Sequence, residues 1–303
     1  MSTDTLTPGP FDAAVSYGTA IRTTHIEPAR RGRWQWTRTA PLERHRFSSG
    51  LFTVPPATAR ASGPGPRFAV GAGDTGRRAY ALPAGESLAS VVLSGTASDR
   101  DWPAVYRQWG MLLASLHSRG ATTLDTAPPA RARVQEWWAH PTPEDTRRAT
   151  ARRSFLDALT DSAREHLDDL LAVDLAAARV LVHGWAGLGL SVQDAAGDVV
   201  VLLGEDVGCA PGEYDLGALI AQSVELAVFS PPGTAPSPTL VRDALLDGYD
   251  RPADRQALAD HTIEHVVRHV ADFAQFSDFD DGELPRWAAL VNWLDAGRRR
   301  LTE

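Results

Sequence analysis

The feature that most constrains the fold is a change in hydrophobic periodicity about one third of the way along the chain. Before residue 101 the clearest elements are two short runs, Arg67–Val70 and Arg78–Leu82, which favour β-strands. From Asp101 onward the apolar residues recur at helical spacing, and a helix with one apolar face is predicted over 101–118. A strand-rich first third followed by a helical remainder predicts an α+β protein with two lobes.

The expected boundary lies between residues 84 and 85. We predict a small β-rich N-lobe over 1–84 and a larger, mainly helical C-lobe over 85–303. Two apolar runs, 180–182 and 199–203, are separated by Gly-rich and Asp-rich turns and predict a loop and a hairpin inserted among the helices. The other C-lobe helices are predicted over 152–171, 214–229, 238–249, 252–276 and 284–300.

The stretch Gly71–Gly76 matches the glycine pattern G-x-G-x-x-G, which in some proteins cradles a phosphate. That role needs a helix to follow, with the phosphate on its N-terminus. Here a second strand and Pro83 follow instead, so a hairpin turn is predicted.

Charge and residue usage exclude several classes of function. The formal net charge of -8 argues against general nucleic-acid binding, which needs a basic surface to displace counterions. No apolar run approaches the roughly 20 residues of a membrane span, and residues 1–10 do not resemble a signal peptide. All 30 basic residues are arginine, so no lysine can act as a nucleophile, a base or a phosphate ligand. The single cysteine, Cys209, excludes an internal disulfide and is typical of a cytoplasmic protein.

Residues 180–219 carry the most specific pattern in the chain. An apolar run leads into His183-Gly184, a second apolar run ends at Leu203, and Tyr214-Asp215-Leu216 follows. This order resembles the catalytic segment of the aminoglycoside phosphotransferase family, in which His-Gly-Asp precedes a metal-binding Asn, a hairpin, a metal-binding Asp and Tyr-Asp-Leu. The resemblance implies a bilobal, protein-kinase-like fold, and the stretch Leu82–Leu88 resembles the hinge between its lobes.

The departures from the family pattern imply that phosphoryl transfer has been lost. Transfer needs a carboxylate for the nucleophile, metal ligands and a cation on the phosphates. Trp185 stands at the position of the catalytic Asp, Leu190 at that of the Asn, and Leu203 at that of the metal-binding Asp. Magnesium prefers hard oxygen ligands, although a shift of register would bring Glu205 or Asp206 nearer. We therefore expect a degenerate, pseudokinase-type member with no nucleotide cofactor and no bound metal.

Three residues near the expected cleft are candidates for other chemistry. His183 follows one strand and Glu205 and Asp206 follow the next, so any of them could act as a mild general base. The alternatives are that His183 holds its loop through backbone hydrogen bonds, as the matching His does in the family, and that the two acids are a surface pair. Cys209 is expected to be a small buried residue rather than a nucleophile.

An Arg- and Trp-rich segment near the N-terminus is a candidate binding surface. Arg33, Trp34 and Trp36, together with Trp185 of the cleft, are predicted to bind a peptide through cation–π and bidentate contacts. The alternative is that the tryptophans are half packed on a sheet beside solvated arginines.

A histidine pattern in the last third has the spacing of a zinc site. His261, Glu264 and His265 form H-x-x-E-H, and His269 lies one turn further along the same face. The helical context instead favours packed or solvated histidines, so no metal is predicted.

The resemblance leads to two functional hypotheses. Phosphotransferase-like proteins, some of them degenerate, occur in actinobacterial clusters for class V lanthipeptides and thioamitides, where they are associated with dehydration or thioether ring closure. On the first hypothesis the chain is a cyclase: a Cys thiol of a modified ribosomal peptide adds to a dehydroamino acid without ATP, forming a lanthionine or aminovinyl-cysteine thioether. On the second it is a non-catalytic pseudokinase that binds a peptide, a leader peptide or neighbouring biosynthetic enzymes. No motif for C–S bond formation is visible, so both hypotheses stay open.

Overall fold

A five-stranded antiparallel sheet forms the N-terminal part of the fold. The computed structural model describes residues 14–18, 21–40, 64–95, 100–118, 124–139, 146–178, 180–231, 233–276 and 282–302. The first six strands are β1 Val15–Gly18, β2 Thr23–Ala29, β3 Arg33–Thr39, β4 Arg67–Val70, β5 Ala72–Gly73 and β6 Arg77–Leu82. Five of them form one sheet in the order β1-β2-β3-β6-β5.

The glycine-rich stretch Gly71–Gly76 lies in a tight hairpin, as predicted. β5 pairs with β6, and the Asp74 side chain accepts hydrogen bonds from the backbone N–H groups of Gly76 and Arg77 at 2.7 and 2.9 Å. Because a strand and not a helix follows, the turn lacks the helix N-terminus on which the dinucleotide fingerprint places its phosphate.

A second, three-stranded sheet ties the two parts of the chain together. It combines β4 with two strands from the middle of the sequence, β8 and β9, and a short pair, β7 with β10, lies beside it. β4 runs parallel to β9, while β8 runs antiparallel to it, so β8 and β9 form the predicted hairpin. These strands are β7 Leu181–Val182, β8 Ser191–Gln193, β9 Val199–Leu203 and β10 Gly208–Cys209.

Helices make up most of the remaining described residues. They are α1 Leu88–Leu93, α2 Trp102–His117, α3 Pro129–Ala139, α4 Thr146–Asp157, α5 Asp161–Ala172, α6 Glu213–Phe229, α7 Pro238–Tyr249, α8 Arg255–Phe276 and α9 Leu284–Thr302. No helix within these described ranges is long and apolar enough to cross a membrane.

Capping residues set several of the helix starts. The Asp101 side chain accepts from the backbone N–H of Ala104 at 3.0 Å and begins α2 where it was predicted. The single helix predicted over 152–171 is wrong, because Thr160 caps a new helix by accepting from Ala163 at 3.2 Å. In the same way Asp254, which accepts from Ala257 at 2.9 Å, begins α8 later than the predicted residue 252.

The helix α3 was not predicted at all. Its buried face includes Arg131 and Arg133 beside Val134 and Trp137, so charged residues interrupt the apolar stripe on which the prediction depends. Both arginines are buried in ion pairs that bind α3 to neighbouring elements.

The helices α2 and α7 pack with their backbones in close contact. A Cβ atom at Gly110 would lie 2.2 Å from the Leu245 carbonyl oxygen, and one at Gly248 would lie 2.0 Å from that of Arg107. The two glycines therefore let the helix backbones touch. The largest apolar cluster includes Trp109 and Leu113 of α2, packed with residues of β9 and α6.

Candidate functional site

An open cleft of about 420 Å³ lies between the N-terminal sheet and the helices. Its walls come from the start of β2, from α1, from the loop after β7 and from α8. The residues that line the cleft include Arg22, Arg38, Ser90, Trp185, Leu190 and Asp272. Trp185 is half buried and is one of the residues that line this cleft.

The loop that carries Trp185 is anchored to the start of α6. Both carboxylate oxygens of Asp215 accept backbone hydrogen bonds, from His183 at 2.6 Å and from Gly184 at 2.9 Å. The His117 ring lies 3.0 Å from the same carboxylate. Burial alone would raise the pKa of Asp215, but the hydrogen bond and charge of His117 outweigh it, and the pKa lies below its ordinary value. Asp215 is therefore ionised and positions the loop.

His183 has both ring nitrogens occupied by backbone groups. Its Nε2 lies 2.7 Å from the Leu202 carbonyl oxygen, and its Nδ1 lies 3.3 Å from the backbone nitrogen of Trp185. The carbonyl needs a donor and the amide needs an acceptor, so the ring is neutral with its proton on Nε2. This arrangement favours the loop-holding role and leaves no ring nitrogen free to accept a substrate proton.

Three guanidinium groups surround the Trp185 ring. The Cζ atoms of Arg133, Arg268 and Arg22 lie 4.7, 5.1 and 5.9 Å from the ring centroid. Such cation–π contacts strengthen when they are shielded from water, and all three arginines are buried. Trp185, which the resemblance aligned with the catalytic Asp, thus lies among buried guanidinium groups, two of which are ion-paired with Asp206 and Asp272.

The two acids that follow β9 are buried, so the expectation of a surface pair is wrong. Glu205 accepts a hydrogen bond from the Tyr80 hydroxyl at 3.0 Å, and its oxygens lie 2.6 Å from Arg38 and 3.6 Å from Arg22. Arg38 of β3 therefore neutralises Glu205.

Asp206 bridges the two parts of the chain. Its oxygens lie 3.2 Å from Arg22 and 3.2 Å from Arg133 of α3. Burial alone would raise the pKa of Asp206, but Arg22 and Arg133 outweigh it and hold the pKa below its ordinary value. A depressed pKa makes a carboxylate a weaker base, so this geometry favours an ion pair over proton transfer.

Asp272 is the carboxylate that lines the cleft. Its Oδ1 lies 3.5 Å from Nε of Arg133, and its buried Oδ2 has no hydrogen-bond partner within the described residues. Sequence reasoning missed Asp272, Arg22, Arg133 and Arg268. A signal existed for Arg133 and Arg268, because both interrupt the apolar stripes of α3 and α8, where a charge needs a buried partner.

The surroundings fit a magnesium–nucleotide complex poorly. Leu190 and Leu203 lie in apolar clusters, and Glu205 and Asp206 are neutralised by guanidinium groups, so no free hard oxygen ligand lies at either expected position. The segment that joins the lobes is also engaged, because the Trp36 indole N–H donates to the Ala84 carbonyl oxygen at 3.1 Å.

The four predicted peptide-binding residues do not form one surface. Trp36 has no exposed surface, and Trp34 packs so closely on the linker that a Cβ at Gly85 would lie 2.7 Å from its ring. Arg33, at the start of β3, is half buried. Of the four residues, only Trp185 lines the cleft.

The histidine pattern on α8 consists of residues with other partners. His261 lies 2.9 Å from Glu264, which also pairs with Arg131, and His269 lies 2.7 Å from Glu225. His265 lies 2.5 Å from Arg268. Within the part of the chain that the structure describes, no group of His, Cys, Asp and Glu is placed to hold a metal. The other candidate nucleophile, Cys209, is buried with its thiol 3.0 Å from the Leu124 carbonyl oxygen.

Comparison with solved structures finds proteins of one architecture. A spectinomycin phosphotransferase, solved with ADP and spectinomycin, matches with a TM-score of 0.51 and 12% identity over 95% of this chain and 93% of its own. An ethanolamine kinase from Plasmodium vivax matches with a TM-score of 0.52 and 10% identity over 96% of this chain and 84% of its own. No protein-family model matches the sequence, and no curated protein matches it either.

These likenesses establish the fold. The chain has the kinase-like fold of the aminoglycoside phosphotransferases, with a small sheet-rich N-terminal part and a helical C-terminal part. The fold implied by residues 180–219 is therefore confirmed.

Proposed function

We propose that the chain is a degenerate, pseudokinase-type protein of the phosphotransferase fold that binds a peptide segment in its cleft without transferring phosphate. The observation that carries this proposal is the surrounding of Trp185. Phosphoryl transfer needs a carboxylate near the acceptor hydroxyl, and this position holds an indole ringed by three guanidinium groups.

The neighbouring acids do not replace the missing carboxylate. Glu205 and Asp206 both pair with arginines that reach them from β3, from the segment before β2 and from α3. Breaking these pairs to bind magnesium would leave guanidinium groups buried without a counter-charge, which is strongly unfavourable. This supports a binding function over phosphoryl transfer.

The walls of the cleft suit a peptide segment. Ile21, Leu93, Leu190 and Phe273 provide apolar surface, and Ser90 provides a hydroxyl at the rim. A volume of about 420 Å³ falls within the range of specific ligand pockets and has room for a few side chains. A modified ribosomal peptide or its leader fits this description. A cytoplasmic location for the protein stays a prediction.

A second candidate, the thioether cyclase, is favoured by Asp272. Its unpartnered Oδ2 belongs to the carboxylate that lines the cleft, whereas His183, Glu205 and Asp206 are all engaged. Asp272 could accept the proton of a peptide Cys thiol while the sulfur adds to the β-carbon of a dehydroamino acid. Returning that proton to the α-carbon completes the thioether, with no oxidant and no ATP.

One pair of variants separates the two candidates in a reconstituted pathway. Asp272→Asn keeps the shape of the cleft and removes the base, and Trp185→Ala removes the centre of the binding surface. A scaffold tolerates Asp272→Asn and loses peptide binding with Trp185→Ala. A cyclase keeps peptide binding with Asp272→Asn and loses ring formation.

Phosphorylation of the peptide by the wild-type protein would refute both candidates.

A further inference from the structure

We infer that a small cavity beside Trp185 binds a carboxylate group of the ligand that occupies the cleft. This inference rests on the proposed function, because the cavity extends the same cleft. Its volume is about 80 Å³, enough for a group of a few heavy atoms. Trp185, Leu190 and Asp272 line both spaces, so the cavity opens beside the place where a cleft ligand lies.

Arg268 supplies the charge that makes this cavity attractive to an anion. It lines the cavity, is only 3% exposed, and donates to the Gly184 carbonyl oxygen at 3.2 Å. Arg268 also contacts the ring of His265, and burial together with Arg268 lowers the pKa of His265 well below its ordinary value, so this partner is neutral. Within the described ranges no carboxylate lies within ion-pair distance of Arg268.

Arg268 lies near a wider cluster of buried ion pairs. Among the described residues, Arg22, Arg38 and Arg133 each contact Glu205, Asp206 or Asp272 within 3.6 Å, whereas Arg268 has no carboxylate at that distance. The neighbouring His269 is balanced by Glu225 at 2.7 Å. A buried charge without a close counter-charge is unfavourable, so a negatively charged ligand group beside Arg268 is stabilised.

Two loop residues that line the cavity have backbone N–H groups with no hydrogen bond to a described residue. Ala186 and Gly187 line it and are buried. Among the described residues no acceptor lies within hydrogen-bond distance of their backbone N–H groups, whereas the neighbouring N–H of Leu188 donates to Gln222 at 2.7 Å. Buried N–H groups are nearly always paired, so these two favour a ligand with acceptor oxygens.

A carboxylate fits these features better than a larger anion does. It carries a single charge, which matches the single charge of Arg268, and its planar pair of oxygens suits a guanidinium donor. Asp272 also lines the cavity, but its charge is partly offset by Arg133 at 3.5 Å. A peptide offers this group either as its C-terminus or as an Asp or Glu side chain.

The test is an NMR titration of the whole protein that follows the indole N–H of Trp185, assigned with Trp185→Phe. The probes are butyrate, its neutral analogue butanamide, and inorganic phosphate. We expect saturable binding of butyrate, with butanamide and phosphate each about tenfold weaker or more. Equal affinity for butyrate and butanamide overturns the inference, and so does tighter binding of phosphate.

Two variants connect the binding to the cavity. Arg268→Gln removes the charge, and we expect it to weaken butyrate binding about tenfold or more, whereas Arg242→Gln on the surface of α7 is the matched control. If Arg268→Gln does not fold, Gly187→Ala narrows the cavity alone, because its Cβ would lie 3.5 Å from the Gln222 side chain, an ordinary contact. Unchanged butyrate affinity in the folded variants overturns the inference.

The source of the carboxylate is distinguished by two acetylated dipeptides. Acetyl-Ala-Ala with a free C-terminus and acetyl-Ala-Asp with an amidated C-terminus each carry one carboxylate. The dipeptide that binds more tightly identifies whether the cavity takes a C-terminal or a side-chain carboxylate. If amidated acetyl-Ala-Ala, which has no carboxylate, binds as tightly as that dipeptide, the inference is overturned. Because butyrate is neither a peptide nor a nucleotide, these results do not depend on whether the proposed function is correct.

Discussion

Replacing Asp206 by Asn tests whether the acids after β9 are structural. Asp206 is buried between Arg22 and Arg133, each at 3.2 Å. At an effective dielectric constant of about 20 each contact is worth about 5 kcal/mol before desolvation, and the net cost of breaking such a buried pair is about 3–5 kcal/mol. Glu205 and Asp272 remain as second partners of the two arginines at 3.6 and 3.5 Å, so we expect the lower end, about 3 kcal/mol.

The assay is urea unfolding at neutral pH, followed by tryptophan fluorescence and by circular dichroism. The control is Asp243→Asn, which breaks the exposed pair with Arg242 and should cost about 0–1 kcal/mol. Because the pKa of Asp206 is depressed, its contribution is complete above the unfolded-state pKa and is lost as pH falls through the folded-state pKa. The difference between wild type and Asp206→Asn should therefore shrink only in acid. If Asp206→Asn is as stable as Asp243→Asn, the structural account of this acid is wrong.

Two further predictions concern the scaffold. Gly110→Ala should lower the free energy of unfolding by about 1–3 kcal/mol, because its Cβ would lie 2.2 Å from the Leu245 carbonyl oxygen. Urea unfolding midpoints measure this loss of stability. The control is Gly189→Ala, whose Cβ would have no atom nearer than 4.0 Å. His269→Gln should destabilise the protein more at about pH 5.5 than at about pH 8.5. Burial lowers the pKa of His269, but Glu225 outweighs burial and raises the pKa. The stability that protonated His269 gives the fold is therefore lost as pH rises through its folded-state pKa. Thermal unfolding of both proteins at the two pH values checks this, and an equal difference at both would contradict it.

The sequence predicted the elements whose periodicity and caps agree. The bounds of α7 match the prediction, and α2 begins at its capping residue Asp101, because there the apolar stripe and the end signals coincide. The prediction failed where a cap overrode the stripe, at Thr160, and where buried arginines interrupted it, in α3. An apolar stripe indicates which residues are buried, but it does not identify the ion-pair partner that allows a charged residue to be buried.

The candidate site was predictable only in its outline. His183 and Trp185 lie on one loop because they are two residues apart, but Asp215, which is 32 residues from His183, was not predicted to anchor that loop. The arginines that neutralise Glu205 and Asp206 come from residues more than 60 positions away, and no local pattern connects them to those acids. The same distance hid Asp272, whose importance depends on the cleft that it lines and not on its neighbours in α8.

Calorimetric titration with ATP, with and without magnesium, tests most directly the claim that this kinase-like cleft no longer handles phosphate. The surroundings of Trp185, Glu205 and Asp206 predict no binding in either case, while an active phosphotransferase of the same fold, run as a control, binds in the presence of magnesium. Magnesium-dependent binding of ATP to this chain would contradict the account and make phosphoryl transfer or nucleotide sensing the favoured function.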